Sequence, residues 1–146
     1  HTPNKPPTLS WKLLKSPLMP AYDTTQFDPP APVANVTIRN LDRDTIHSDV
    51  PMLLDSGADV TLIPRTATDA LGEIAVPGRQ YELTGFDGSV SFAPVVRLEL
   101  LFCGRVFRGQ FLLIDGPWGI LGRNVLNAVS ILLDGPHLAW DIHRPE

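Results

Sequence analysis

Cysteine is almost absent from this chain. Its 146 residues include only Cys103, which excludes a disulfide framework and a cysteine-built zinc site. Long apolar runs are also missing, since no uncharged stretch approaches the ~18 residues a membrane span needs. Basic charge is in short supply, with 12 Lys and Arg against 16 Asp and Glu and a net charge of −4. That balance argues against nucleic acid as the main partner, because duplex binding draws on an excess of Lys and Arg. The four histidines show no His-x-x-x-His spacing and read as solvated surface, so neither metal nor other cofactor is expected. The start does not resemble a signal peptide, because Lys5 is followed by prolines. Beginning at His1, the chain reads as a soluble fragment or processed product, and its compartment is left open. What is present is enough for one globular domain: 43% apolar and 19% charged residues support a core and exclude wholesale disorder.

Proline divides the chain. Eight of the 15 prolines lie within residues 1–32, a density that forbids a long helix or a central strand there. Residues 1–32 are read as an extended arm. Leu9, Trp11, Leu13, Leu14, Leu18, Met19 and Tyr22 make it too apolar for a plain linker. Such an arm lies over the body of the domain, or it is a propeptide or a reach toward a partner. Residues 33–146 form the domain itself.

Within that domain, Val33–Asn40, Val50–Leu54, Val60–Ile63, Val95–Phe102 and Val106–Ile114 are strand candidates. Gln80–Thr84 and Val90–Pro94 flank Gly85-Phe86-Asp87-Gly88, a glycine-edged hairpin tip. Thr66–Leu71 suits a single helical turn closed by Gly72. Asn124–Ala128 suits a short helix with Asn124 as N-cap. Ile131–Leu133 and His137–Ile142 are joined by the turn residues Asp134-Gly135-Pro136. Many short strands, frequent glycine turns and little helix define an all-β chain, a small closed or sandwiched domain.

The densest chemistry lies in Leu54-Asp55-Ser56-Gly57-Ala58-Asp59. A carboxylate follows an apolar strand directly, then a hydroxyl, then a glycine that permits close approach of another backbone. Alone, Asp-Ser-Gly is ordinary turn chemistry. Two further features change the weighting. Asp59 is a second carboxylate four residues on, and Gly119-Ile120-Leu121-Gly122-Arg123-Asn124 supplies an arginine, whose fork suits a partly buried carboxylate.

Asp55-Ser56-Gly57-Ala58-Asp59, running into Val60-Thr61-Leu62-Ile63, resembles the active-site motif of retroviral-type aspartic proteases, the retropepsins. Ile120-Leu121-Gly122-Arg123-Asn124 resembles that family's second signature, and the glycine-tipped hairpin between the two motifs fits its flap. The resemblance spans about residues 33–142. It implies a small closed β-barrel-like fold with one short helix, active as a two-fold homodimer. Asp55 would be the catalytic carboxylate, with Ser56 bracing the dyad and Gly57 lying against substrate. Ala58 and Asp59 would line the cleft, and Arg123 would pair with Asp59 and support the site. Gly85, Phe86, Asp87 and Gly88 would form the flap tip over a peptide or protein substrate.

A carboxylate dyad needs two aspartates. Asp115-Gly116-Pro117 and Asp134-Gly135-Pro136 lack the following hydroxyl and read as turns, so the second carboxylate is expected from a second copy. The C-terminal hairpin, about Ile131–Ile142, is the expected seam. Trp140 serves there as an interface anchor or as core packing. Leu53, Val60, Ile63, Phe86 and Ile120 are candidates for an apolar cleft lining. The competing expectation is a retropepsin-fold binding or oligomerisation module that does not cleave.

Overall fold

The computed structural model describes residues 20–72, 75–85 and 87–143. Most of the proline-rich arm, residues 1–19, and Phe86 at the hairpin tip lie outside the described residues.

Among the described residues, ten strands and two short α-helices follow one another: β1 (Tyr22–Asp23), β2 (Ala31–Arg39), β3 (Ile46–Leu54), β4 (Leu62–Pro64), α1 (Arg65–Asp69), β5 (Ala75–Thr84), β6 (Val90–Phe102), β7 (Arg105–Ile114), β8 (Gly119–Leu121), α2 (Arg123–Leu126), β9 (Ile131–Asp134) and β10 (Ala139–Ile142), with a 3-10 turn over Gly135–His137 joining the last two strands. Eight strands form one sheet in the order β1-β2-β3-β8-β4-β7-β6-β5. A further pairing of β2 with β6, through Thr37 with Leu101 and Arg39 with Glu99, joins that sheet back on itself. This closure gives the barrel and removes two open strand edges, which would otherwise invite pairing with other chains.

Strand alternation shapes the interior. Val96, Leu98, Leu100 and Phe102 of β6 point to one side and join Val36, Ile38, Val50, Met52, Ile63 and Leu121 in the main core. A smaller cluster, Leu62, Ala93, Val95 and Leu112, lies apart from it, with Val60, Leu83, Ile114 and Ile120 half-buried around it. On the opposite face of β6 the buried Glu99 carboxylate meets Arg39 at 3.0 Å and Arg108 at 2.6 Å. Those three residues stand directly abreast on β2, β6 and β7.

Element bounds depart from the sequence reading where proline and glycine are ambiguous. Pro94 does not end a strand: β6 runs unbroken from Val90 to Phe102. A missing N–H is tolerated there because the β5–β6 register slips between Ala75 and Gln80, next to Pro94. Asn124 is not the N-cap of α2; Gly122 holds that position, and the Asn124 side chain is engaged elsewhere.

Residues 20–32 fold back on the body of the domain. Tyr22 and Asp23 pair with Pro32 and Ala31, while Ala21 bridges to Ala139 of β10. Trp140 N–H donates to the Pro20 carbonyl and Tyr22 N–H to the Leu138 carbonyl, so this segment lies along the outer edge of β10. Asp23 caps the following turn by accepting from the amides of Gln26 and Thr25, and these bonds, led by Gln26, hold its carboxyl below the usual range. Trp140 itself is 2% exposed. Its indole N–H donates to the Val33 carbonyl at 2.8 Å and its ring packs near Phe102, so its role within the chain is core packing. Among the described residues no helix is long and apolar enough to cross a membrane.

Candidate active site

The site is built where two strands stop together. β3 and β8 run parallel, with Leu54 beside Leu121, and both chains turn immediately afterwards. Asp55 N–H donates to the Leu121 carbonyl at 3.0 Å, so β8 fixes the point at which β3 releases its carboxylate. The loop then closes on itself. Asp55 Oδ1 accepts from Gly57 N–H at 2.9 Å, and the Asp55 carbonyl accepts from Ala58 N–H at 3.1 Å. A Cβ at position 57 would lie 3.1 Å from that same carboxylate oxygen, so glycine there leaves the carboxylate uncrowded.

The beginning of α2 clamps the loop. Arg123 N–H donates to the Ala58 carbonyl, and Arg123 Nη1 to the Ser56 carbonyl, each at 2.8 Å. The guanidinium therefore supports the loop through its backbone. It forms no ion pair with Asp59, whose side of the loop is exposed. Ahead of it, Gly122 is packed so closely that a Cβ would meet the Val60 carbonyl and stand 3.0 Å from the Ala58 oxygen. Glycine is required there for packing; its φ of −94° is open to any residue.

Sequence reasoning passed over one residue that ties these parts together. Thr61, 1% exposed, donates its hydroxyl to Asn124 Oδ1 at 2.6 Å and accepts from Gly122 N–H at 3.0 Å. Its carbonyl also accepts from Leu112 N–H. A threonine inside an otherwise apolar run was the available signal, because a buried hydroxyl needs partners.

The β5–β6 hairpin meets this region at its base. Gly85 N–H donates to the Ser89 carbonyl and Gly88 N–H to the Gly85 carbonyl, with Gly88 at φ +84°. Asp87 accepts from the Ser89 amide, and the Ser89 side chain and amide together hold its carboxyl below the usual range. The tip spends these bonds on itself, whereas the hairpin base joins the site: Leu83 and Ala93 pack with Val60, Leu62 and Ile120. Val60 and Ile120 are thus half-buried beside the Asp55 loop, and Leu53 is half-buried as well. Ile63, expected at a cleft, is instead fully buried in the main core, because it faces inward from β4.

The two aspartates set aside as turn residues, Asp115 and Asp134, stand elsewhere. Asp115 is paired with Arg65 at 2.9 Å and Asp134 with His137 at 2.9 Å, both on the surface. The Ser56 hydroxyl makes no hydrogen bond among the described residues. Among those residues no three His, Cys, Asp or Glu groups converge as metal ligands.

The β-rich fold that carries this loop is retropepsin-like. Among solved structures, the EIAV protease complexed with the inhibitor HBY-793 superposes with a TM-score of 0.50 and 27% sequence identity, over 67% of this chain and 86% of that one. No protein-family model matches the sequence, and no curated protein does.

Proposed function

We propose that the chain is an aspartic endopeptidase, active as a homodimer in which each copy contributes one Asp55. The observation that carries this reading is the held carboxylate: Asp55 at the end of β3, fixed by Gly57 N–H and by the Leu121 carbonyl, in a fold like that of a retroviral protease. Two such carboxylates about 3 Å apart cannot both ionise, so they share one proton. One then acts as base toward a water molecule while the other donates toward the scissile carbonyl. Proton transfer belongs to the pair rather than to either residue. The Ser56 hydroxyl, which makes no hydrogen bond among the described residues, would brace the partner's loop. Ala58, Asp59 and the hairpin tip (Gly85, Phe86, Asp87, Gly88) would hold the peptide backbone. Arg123 supports the loop from behind.

The seam falls at the C-terminal hairpin. Residues 20–22 already cover the outer edge of β10, whereas the outer edge of β9 pairs with no strand among the described residues. Leu132 and Leu133 of β9 are 58% and 55% exposed, and Leu138 is 40% exposed. A second copy would bury them.

The test is hydrolysis of a mixed peptide library between about pH 4 and 7, with Asp55→Asn alongside. Loss of a positioned acid–base group predicts a fall of about 10²–10⁴-fold in rate. No cleavage by either protein, from samples shown to be dimeric, would instead identify a binding module that keeps the fold without the chemistry.

A further inference from the structure

One face of β2, β6 and β7 carries a charge arrangement that the proposed chemistry does not use. The Glu99 side chain is only 4% exposed, and its carboxylate holds two guanidinium groups. Oε1 takes Arg39 Nε at 3.0 Å, and Oε2 takes Arg108 Nε at 2.9 Å and Arg108 Nη2 at 2.6 Å. A carboxylate out of water needs such donors, and it fixes their direction in return. Arg108 turns two nitrogens inward, yet its side chain stays 67% exposed. The guanidinium is therefore anchored from below and open to solvent above.

Strand alternation adds a third arginine. Arg97 stands two residues before Glu99, on the same side of β6. It is exposed and makes no hydrogen bond or ion pair among the described residues. Directly opposite it lies the exposed Gln110 of β7, and Arg108 is the next residue of β7 on that side. Arg97 and Arg108 are thus diagonal neighbours, about 7–8 Å apart. Three arginines against the buried Glu99 and the exposed Asp44 leave this face net positive, on a chain whose net charge is −4.

The face already takes one carboxylate from outside. Asp44, with its side chain 82% exposed, reaches Arg39 Nη1 at 3.2 Å. A guanidinium anchored on Glu99 therefore still accepts a second carboxylate on its outer side. An extended peptide with acidic residues at alternate positions presents carboxylates about 7 Å apart along one side. That spacing matches Arg97 and Arg108, and the Gln110 amide beside them is a further donor. Single-stranded nucleic acid carries similar charge but draws on aromatic side chains for stacking. Phe102 and Phe111 of these strands are buried in the main core instead.

We infer that this face, centred on Arg97 and Arg108, is a docking surface for an acidic, extended peptide segment of a partner protein, read through carboxylates at alternate positions. The inference stands apart from the protease reading.

Peptide binding tests it. The full chain carrying Asp55→Asn, so that no probe is cut, is titrated by anisotropy at low salt with fluorescein-labelled probes. One peptide alternates Glu with Ser, a second has Gln for every Glu, and a third has the same Glu and Ser residues in two blocks. An oligothymidine of equal charge is the fourth probe. The alternating acidic peptide is expected to bind about tenfold more tightly than the Gln peptide and about threefold more tightly than the blocked one. Added salt should weaken it. Arg97→Gln and Arg108→Gln should each weaken it about three- to fivefold. Arg108→Lys, which keeps the charge and loses the fork, should recover only part of that loss. Thermal melts separate these effects from unfolding, and Arg97, which bonds to nothing among the described residues, is the variant whose fold is least at stake. Equal binding of the Glu and Gln peptides, no preference for alternation, unchanged binding by Arg97→Gln, or a tighter hold on the oligothymidine than on the peptide would each overturn the inference.

Discussion

Thr61 is the residue on which the local architecture turns. Its hydroxyl reaches across 63 residues of sequence to Asn124 and at the same time receives the Gly122 amide. Replacing it with the near-isosteric Val keeps the packing but strands the buried Gly122 N–H and takes the exposed Asn124 side chain's partner away. Thr61→Val is expected to lower stability by roughly 1–3 kcal/mol, whereas Thr61→Ser, which keeps the hydroxyl, should recover most of that. Urea unfolding checks this, with a shifted midpoint and an unchanged slope as the expected signature. An unchanged midpoint in Thr61→Val would mean that the two bonds do not hold the loop. At this scale the sequence was legible where chemistry is local. Asp55, Ser56 and Gly57 announce themselves as one tripeptide, and Arg123 as part of a second. The pairing of Thr61 with Asn124 was not legible, because nothing in either neighbourhood names a partner so far away. For the same reason Asn124 resembled a cap, and Arg123 was assigned a carboxylate partner when a backbone carbonyl takes its guanidinium.

Among the elements, the β5–β6 hairpin carries a pH-sensitive group at its tip. Asp87 accepts from Ser89, and these bonds favour its charged form, so its folded pKa lies below the ordinary 3.8. A depressed carboxyl pKa contributes stability above the unfolded value, and that contribution is lost as pH falls through the folded value. The tip should therefore stay closed on Ser89 at neutral and mildly acid pH and loosen only below about pH 3.8. An NMR titration of the Asp87 carboxyl carbon is expected to show a midpoint below 3.8, and a midpoint at or above it would contradict the tip geometry. The hairpin was readable from its glycines, and β9 and β10 from the Asp-Gly-Pro turn between them. The continuity of β6 was not, because Pro94 normally breaks a strand and only a register slip in the neighbouring β5 lets it pass. That the arm lies over the body was one of the sequence's readings, and residues 20–23 do so, but their pairing with β2 and β10 was hidden, since strand pairing leaves no periodic trace in a segment so short.

For the whole molecule, alternation and turn chemistry sufficed to read a small all-β domain, closed or sandwiched, because closure itself is a long-range event. β2 meets β6 only after three strands have been laid between them, and no pattern inside either strand specifies that meeting. Oligomeric state is one level further removed. The chain places one carboxylate at the site and leaves a leucine-bearing strand edge at its C-terminal hairpin. If both features belong to one design, catalysis is a property of two chains together. The most direct measurement mixes wild-type protein with Asp55→Asn at constant total concentration, allows subunits to exchange, and follows peptide hydrolysis against the wild-type fraction. Two shared carboxylates predict a rate that falls as the square of that fraction, so an equal mixture retains about a quarter of the unmixed rate. A rate that falls in simple proportion, leaving about half, would show that each chain acts alone and would contradict the shared dyad.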